Sequence, residues 1–512
     1  MSNLVHPELR LAVASEDWLR AATLVSRNWT TLMFDTEAAP DMWDAIQRMP
    51  ENALLAYPKT ALMGEGIGRL PPLTTKLTLP TTKTAVSRAL ANGTARDAVE
   101  LAIHRIIASA ATGHLREARD VADESALLLR ESSANRFGAC TDLASYWYLQ
   151  AGHARLLTGD FAGAHRDLSL GWDFRVYDVT GYAAVAIAPY LALFSAILRE
   201  TDELARWDAI VDGLAEHGSS LMEWRAMERP RLVARLFDAA QRLELDAGRA
   251  ISEALDGQLG TDELWPFTLM ALTQHWVNVG SVGRATRQLA AAQHLPGYAD
   301  PHGVHRSLVA IAEADVAYAC GRGNEAERFL ASVTAPSLQP LAALYSAHVH
   351  LLAGEYATTV RRTALFARSG GDTRIRGESR ILGALAEYGL GDPAPLHHLM
   401  GDATARALAV RTLSLIPGEL HARLSADPVV ADILPALNPL IADTGGLDLL
   451  RLTEAEQRIV AVLGNDCSLA ELAASLHISP NTLKTHLRSV YAKLGVASRE
   501  EAARVINALG LA

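Results

Sequence analysis

The chain has 512 residues, of which 49% are hydrophobic and 21% charged, and its net charge is −11 at pH 7. This size allows about two to four domains, or one extended repeat array, with a substantial buried core. The acidic balance excludes a protein that coats nucleic acid or an anionic membrane with its whole surface, so any such contact must come from a local basic patch.

The N-terminus and the cysteines both favour a cytoplasmic protein. The opening MSNLVHPELR has no basic segment followed by an apolar core, so no signal peptide is expected. Cys140, Cys320 and Cys467 lie far apart and fit neither a disulfide framework nor a zinc site. We therefore expect reduced thiols.

A short motif recurs from residue 85 onward, where helical periodicity dominates and strand signals are scarce. In this motif a glycine is followed five residues later by alanine, or by threonine in the last copy. Glycine can end one helix in the left-handed conformation, and a small residue in the next helix allows close packing. The motif therefore predicts helical hairpins. Its copies are GHLREA (113–118), GDFAGA (159–164), GSVGRA (280–285), GRGNEA (321–326) and GEYATT (354–359).

The spacing of these copies favours an irregular helical solenoid over residues 80–430. The interval of 121 residues between the second and third copies has room for about three units. LLTGDFAGA and LLAGEYATT resemble the tetratricopeptide turn, although no full signature of that repeat is present. A solenoid surface typically binds peptides, proteins or small ligands. A helical bundle with coincidental turns is the alternative.

One apolar stretch has the length of a membrane span. Residues 179–198 contain no charge over twenty residues. The stretch is rich in alanine, contains Gly181 and Pro189, and has acidic residues at both flanks instead of a one-sided basic cluster. We interpret it as a buried helix pair of the array and expect no membrane contact.

The sequence contains no residue set typical of catalysis, cofactor binding or metal binding. The stretches 64–68 and 371–379 lack the lysine of a phosphate loop and are interpreted as turns. Three histidine pairs have no acidic or cysteine partner at ligand spacing and are interpreted as surface or packing residues. They are His302 and His305, His348 and His350, and His397 and His398. We therefore do not expect an enzyme.

Prolines and a glycine pair then interrupt the helical pattern and predict a linker over residues 431–449. Several helix starts follow it. Three have the Ser/Thr-x-x-Glu spacing of a capping box, and another is a serine before proline. These starts are Thr453 with Glu456, Ser468 with Glu471, Ser479 with Pro480, and Ser498 with Glu501. They predict a separate unit of four short helices.

The third of these helices, SPNTLKTHLRSVYAKL at residues 479–494, is amphipathic. Its short connection to the preceding helix fits a helix-turn-helix, which places its second helix in the major groove of DNA. A small protein-interaction module is the alternative. The apolar face holds Leu483, Leu487, Val490, Tyr491 and Leu494. The opposite face holds Asn481, Thr485 and Arg488, flanked by Lys484, and the helix carries Lys484, Arg488 and Lys493 but no acid.

LTEAEQRIVAVL, SLAELAASLHISPNTLKTHLRSVYAKLGV and SREEAA resemble, in order and spacing, the LuxR-type (GerE-like) DNA-binding domain. The family signature is Ser-x-x-Thr-aliphatic-Lys-x-His followed by Lys-Leu-Gly-Val. The chain departs from the family pattern at Ala455, where the family often has arginine, and at Asp466-Cys467, where glycine is common. Both positions lie away from the third helix. The resemblance covers residues 450–512 and implies binding of double-stranded DNA.

The resemblance places the base and phosphate contacts in the third helix. It implies guanine-edge or phosphate contacts for Lys484 and Arg488, and a thymine-methyl contact for Thr485. Ser479 and Thr482 suit phosphate, whereas His486 has either a packing or a DNA-contact role. The complete predicted set is Ser479, Asn481, Thr482, Lys484, Thr485, His486, Arg488 and Lys493.

Two other segments bear on assembly and control. Val505, Ile506 and Leu509 form either a homodimer contact, as in relatives of this family, or part of the domain's own core. Residues 16–32 and 42–62 look like the start of the sensor region in large LuxR-family regulators of the maltose-regulator type. Those proteins place a nucleotide-hydrolysing domain before this region. Here the region stands at about the start of the chain, and no phosphate loop is found in the sequence. The resemblance therefore implies a regulator without the ATPase switch.

Together these patterns predict an all-α protein, with a tetratricopeptide-like helical solenoid over residues 1–430 and a four-helix LuxR-type domain over 450–512. The expected function is bacterial, cytoplasmic transcriptional regulation by sequence-specific DNA binding, with no cofactor. The expected partners are DNA, RNA polymerase, and an unknown small-molecule or protein effector at the repeats. The alternative is a repeat adaptor whose last domain docks a protein partner.

Overall fold

The computed structural model describes most of the chain. Its described residues are 2–35, 37–73, 78–134, 138–178, 180–216, 221–260, 263–295, 297–298, 304–368, 373–438, 440–441, 454–463, 468–476, 478–494 and 498–503. Side chains are described for these residues except at 2–3, 215–216, 221–227, 367–368, 454, 457, 461, 470 and 492–494.

The described residues form α-helices, a few 3-10 turns and no strand, as the all-α prediction requires. The helices of the repeat region are α1 Ser2–Ala14, α2 Trp18–Met33, α3 Ala38–Arg48, α4 Glu51–Leu54, α5 Pro58–Gly66, α6 Lys83–Ala91, α7 Ala95–Ala111, α8 Leu115–Ser132, α9 Thr141–Leu157, α10 Phe161–Phe174, α11 Tyr182–Leu198, α12 Thr201–Glu216, α13 Leu221–Arg242, α14 Leu245–Leu255, α15 Trp265–Asn278, α16 Val282–Ala292, α17 Val304–Ala319, α18 Gly323–Ala331, α19 Gln339–Leu352, α20 Tyr356–Arg368, α21 Thr373–Leu390, α22 Ala394–Met400, α23 Ala403–Ser414 and α24 Gly418–Ser425. Near the C-terminus follow α25 Glu454–Leu463, α26 Leu469–Ser475 and α27 Pro480–Leu494.

The chain divides into two compact units, Met1–Ala234 and Arg235–Ala512. In the first unit α7 packs on α8, α9 on α10 and α11 on α12, while α5, α7, α9 and α11 contact each other in series. In the second unit α15 packs on α16 and α17 on α18, while α15, α17, α19, α21 and α23 form the series. Contacts between successive hairpins are consistent with the predicted solenoid. The likeness to tetratricopeptide repeats stays a prediction.

The recurring glycines end helices as the motif predicts. Gly113, Gly159, Gly280, Gly321 and Gly354 all have positive φ, between 72° and 81°. After each, the next N–H bonds back into the finished helix, as from His114 to the Ser109 carbonyl at 2.7 Å. The small residue five positions after each glycine is fully buried, so the next helix packs closely at that point.

Two further joints lie in the long interval and contain no glycine. Arg199 and Leu243 adopt φ of 60° and 58°, and each is followed by the same backbone bond into the preceding helix. They divide the interval between Gly159 and Gly280 into three hairpin-sized segments, as its length predicts. The glycine motif could not locate these joints because tertiary packing imposes the left-handed conformation on ordinary residues here.

Replacing Gly113 by alanine is expected to lower the free energy of unfolding by about 1–2 kcal/mol, because a non-glycine residue resists the left-handed conformation. The new Cβ would meet no atom within 4 Å, so a steric clash does not contribute. Glu16 is an exposed residue with φ of 56° in the same unit. Glu16→Gly is the matched reverse change, because it places a glycine where an ordinary residue holds the left-handed conformation, and it is not expected to lower the free energy of unfolding in this way. Urea unfolding of both variants tests this, and an unchanged midpoint for Gly113→Ala would contradict it.

The described part of the apolar stretch contains one helix, Tyr182–Leu198, instead of the predicted helix pair. Residues 182–198 are continuous in α11 despite Pro189, and most of their side chains are buried against α9, α10 and α12. Contact with helices on several sides explains the uncharged sequence. Within the described part of the chain, no helix is both long and apolar enough to span a membrane.

Among the described residues of the two glycine-containing stretches, the predicted turn is confirmed only at Ile67 and Gly68. Gly64 to Gly66 complete α5, and residues 373–379 begin α21. His305 and His348 are buried packing residues, as expected, whereas His397 bonds to the Asp427 carboxylate at 2.8 Å. The described residues contain no cluster of three or more metal-ligating side chains.

The first part of the predicted linker is anchored to the second unit. Asn438 donates its amide N–H₂ to the Val277 carbonyl at 3.1 Å and its backbone N–H to the Ser414 carbonyl at 2.9 Å. Ile441 is buried. Residues 442–453 lie outside the described residues, so the predicted domain boundaries stay a prediction.

His104 makes the first unit sensitive to acid. Its Nδ1 lies 2.7 Å from the Glu100 carbonyl, its ring packs edge-on against Trp29, and burial lowers its pKa from 6.5 to about 4. The unfolded chain therefore binds this proton more readily, and stability is lost as pH falls from 6.5 towards 4. We expect His104→Phe, which keeps a ring beside Trp29 but cannot titrate, to remove roughly 3 kcal/mol of that pH dependence. Urea midpoints across this pH range test it, and parallel curves for both proteins would contradict it.

Candidate nucleic-acid interface

The described helices near the C-terminus share one small core. Helices α25 and α26 both pack on α27, and residue 502 of a further turn over 498–503 joins the same core. Every member of this core is at most 5% exposed. Its residues are Ile459, Val460, Leu463, Leu472, Ala473, Leu483, Leu487, Val490 and Ala502.

Serine caps fix where these helices begin, in agreement with the sequence. Ser468 and Glu471 form a complete capping box, and the Ser468 bonds lower the pKa of the Glu471 carboxyl. The Ser479 hydroxyl accepts the N–H of Thr482 at 3.1 Å, and Ser498 accepts that of Glu501 at 3.1 Å. Thr453, the remaining predicted cap, lies outside the described residues.

Glu456 makes a contact that its capping-box spacing does not predict. Its side chain is buried and its carboxylate accepts a hydrogen bond from Ser489 of α27 at 2.7 Å. This bond joins α25 to α27 across 33 residues of sequence. The capping-box spacing suggested only a local partner, so the sequence carried no signal for this contact.

Helix α27 packs with one face and exposes the other, as its periodicity predicts. Leu483, Leu487 and Val490 are buried in the core. The predicted contact residues Ser479, Asn481, Thr482, Lys484, Thr485 and Arg488 are all exposed, and His486 is half-buried at the boundary. The structure therefore brings these residues onto one helix surface. The Lys493 side chain lies outside the described residues, as do Val505, Ile506 and Leu509.

The exposed face is positively charged and unneutralised within the described region. Helix α27 contains no aspartate or glutamate, and neither Lys484 nor Arg488 forms an ion pair with any described carboxylate. The chain as a whole is acidic, so this face is a local exception. An exposed cationic helix face is chemically suited to phosphate oxygens and to the acceptors on guanine.

The first turn of α27 offers further polar groups beside these cations. The Ser479 and Thr482 hydroxyls lie 2.8 Å apart, at the positive end of the helix dipole. Thr485 donates its hydroxyl to the Asn481 carbonyl at 3.1 Å. The Thr485 hydroxyl is thus engaged with the backbone, and its methyl group is available for an apolar contact.

Comparisons with known proteins find similarity in the C-terminal region that contains these helices. Residues 450–506 match the model of the family described as bacterial regulatory proteins, luxR family. Two proteins, from Mycobacterium bovis and Mycobacterium tuberculosis, are each 46% identical to this chain over 57 residues, and their names describe them as HTH-type transcriptional regulators. The similarity covers 10% of this chain and 6% of each relative. No solved structure matches the chain.

Proposed function

We propose that this chain, in which residues 450–506 form a LuxR-family helix-turn-helix domain, is a DNA-binding transcriptional regulator. One observation carries the proposal. Helix α27 has an exposed face that carries positive charge and no acid, while its opposite face packs in the core of the domain. The proposal covers the whole chain, although the matched segment is only a small part of it.

We place α27 in the major groove, which is wide enough to admit a helix. Lys484 and Arg488 lie one helical turn apart on the exposed face, so both can reach guanine edges or the adjacent phosphates. The Thr485 methyl group can contact a thymine methyl, because its hydroxyl is bonded to the helix backbone. These three residues are proposed to read sequence.

The remaining predicted residues are proposed to position the helix. Ser479, Asn481 and Thr482 occupy the N-terminal turn of α27, where hydroxyl, amide and backbone groups suit a phosphate. His486 is half-buried and is proposed to support the helix at the edge of the contact. For Lys493 the proposal of a phosphate contact rests on its charge alone.

We propose that the repeats control this domain by binding an effector. Stacked helical hairpins form extended surfaces that suit ligand or protein binding, and the matched DNA-binding family is not enzymatic. Binding to DNA as a homodimer, contact with RNA polymerase and a cytoplasmic location belong to the same proposal.

Selection from a random-sequence duplex library with the full-length chain tests the proposed function. We expect enrichment of a defined site at low salt, with affinity that falls as salt rises because phosphate contacts release counterions. Failure to enrich any sequence would contradict the proposal and favour the adaptor alternative. In that case the last domain would be tested for a protein partner.

A further inference from the structure

The first unit contains a cavity of about 450 Å³ that the DNA-binding proposal does not use. Three segments that are distant in sequence line it. They are the end of α2 with the residues after it, the start of α9, and the start of α11 with the residues before it. A cavity of this volume is in the range that small-molecule sites occupy.

Three aromatic residues, Phe34, Tyr146 and Tyr182, line the cavity together. The ring centroids of Phe34 and Tyr182 lie 4.9 Å apart, and those of Phe34 and Tyr146 lie 5.2 Å apart. Tyr146 is buried, whereas Phe34 and Tyr182 are half-buried. Part of the aromatic surface therefore faces the cavity instead of being covered by other side chains.

Three carboxylates, from Asp35, Asp142 and Asp178, also line the cavity. Asp142 is paired with Arg96, which lies outside the lining. Asp35 and Asp178 accept backbone N–H bonds at helix starts and have no cationic side chain bonded to them in the described region. Among the described residues, no lysine or arginine lines the cavity.

The balance of charge in the cavity is negative. Arg96 offsets one carboxylate, and the starts of α9 and α11 contribute partial positive charges of about half a unit each. The two other carboxylates outweigh these contributions. Aromatic faces also attract cations, most strongly in sites that exclude water.

We propose that this cavity binds a small organic cation, an ammonium group carried on a compact apolar body, with the charged group against the Phe34, Tyr146 and Tyr182 rings. The Asp35 and Asp178 carboxylates supply long-range attraction. The cation would be the effector of the regulator. The role of the cation as an effector rests on the proposed function, whereas binding of the cation in the cavity does not.

Choline and its neutral isostere 3,3-dimethylbutan-1-ol provide a matched pair of probes. They share size and shape but differ in charge, so their affinities for the full-length protein isolate the contribution of the cation. Titration calorimetry without DNA is expected to show choline binding about tenfold or more tightly than the isostere. Because DNA is absent, this result does not depend on whether the last domain binds DNA.

Substitutions at Tyr182 then locate the bound cation. Tyr182→Phe keeps the aromatic face and is expected to retain choline binding, whereas Tyr182→Leu keeps apolar bulk and is expected to weaken it about fivefold or more. Tyr177 is 40% exposed in the same unit and does not line the cavity, so Tyr177→Leu is the matched control and should bind choline normally.

Several outcomes would overturn the assignment. Equal binding of choline and the neutral isostere, or binding of neither, would contradict recognition of a cation. Binding of glucose in place of choline would assign the cavity to a neutral polyol. Equal loss of choline binding in Tyr182→Leu and Tyr177→Leu would place the cation outside this cavity.

Discussion

Replacing both Lys484 and Arg488 by alanine is expected to weaken binding to the selected duplex at least about 30-fold, because removing each base or phosphate contact costs about 1–3 kcal/mol. Both side chains are exposed on the same face of α27, while the residues that hold the helix in the core are unchanged. Fold and stability should therefore remain. The slope of log affinity against log salt is expected to fall by up to about 2, because a protein with fewer cations at the phosphates releases fewer counterions on binding.

Lys83 and Arg88 provide a matched control for the change in net charge. Both are exposed on α6, far along the chain from α27, and their double alanine variant loses the same two positive charges. Fluorescence anisotropy with the selected duplex across a salt series compares the two variants. The Lys83/Arg88 variant should bind like wild type, and equally weakened binding in both variants would show that α27 is not the contact surface.

Removing the Asp315 carboxylate is expected to destabilise the second unit by about 3–5 kcal/mol, because it leaves a buried guanidinium without its counter-charge. Arg411 donates to both Asp315 oxygens, at 2.9 and 2.7 Å, and the side chains are 6% and 1% exposed. The Tyr318 hydroxyl also donates to Asp315. Asp315→Ala therefore removes the partner of two buried groups at once.

Urea unfolding of a double variant separates the cost of a lone charge from the cost of poorer packing. The double variant, Asp315→Leu with Arg411→Met, has neither charge of the pair. It is expected to be more stable than the Asp315→Leu variant or the Arg411→Met variant alone. Asp246, whose side chain is 98% exposed beside Arg249, is the control, and Asp246→Ala should change stability by less than about 1 kcal/mol. If Asp315→Ala were no more destabilising than Asp246→Ala, the buried pair would not hold the unit together.

The features that sequence predicts well here are periodic or local. Helical spacing separates the buried Leu483 from the exposed Lys484 and Arg488, and a serine in front of a helix places its first turn. Glycine followed by a small residue marks the joints where glycine is used. Each of these signals depends on residues within about one or two turns of each other.

The features that sequence does not predict join distant segments. Arg411 and Asp315 are 96 residues apart, and the three rings of the cavity come from separate hairpins. The left-handed joints at Arg199 and Leu243 also depend on tertiary packing, since neither residue favours that conformation by itself. Such features follow from the way in which the hairpins stack, and periodicity within one helix carries no information about them.

Methylation interference on the selected duplex tests most directly whether α27 reads the major groove. Dimethyl sulfate methylates guanine N7, which faces the major groove, and adenine N3, which faces the minor groove. With full-length protein we predict that methylation of guanine N7 at defined positions of the site blocks binding, and that Lys484 and Arg488 single variants lose sensitivity at individual guanines. Interference only at adenine N3, or at no base, would contradict the placement of α27 in the major groove.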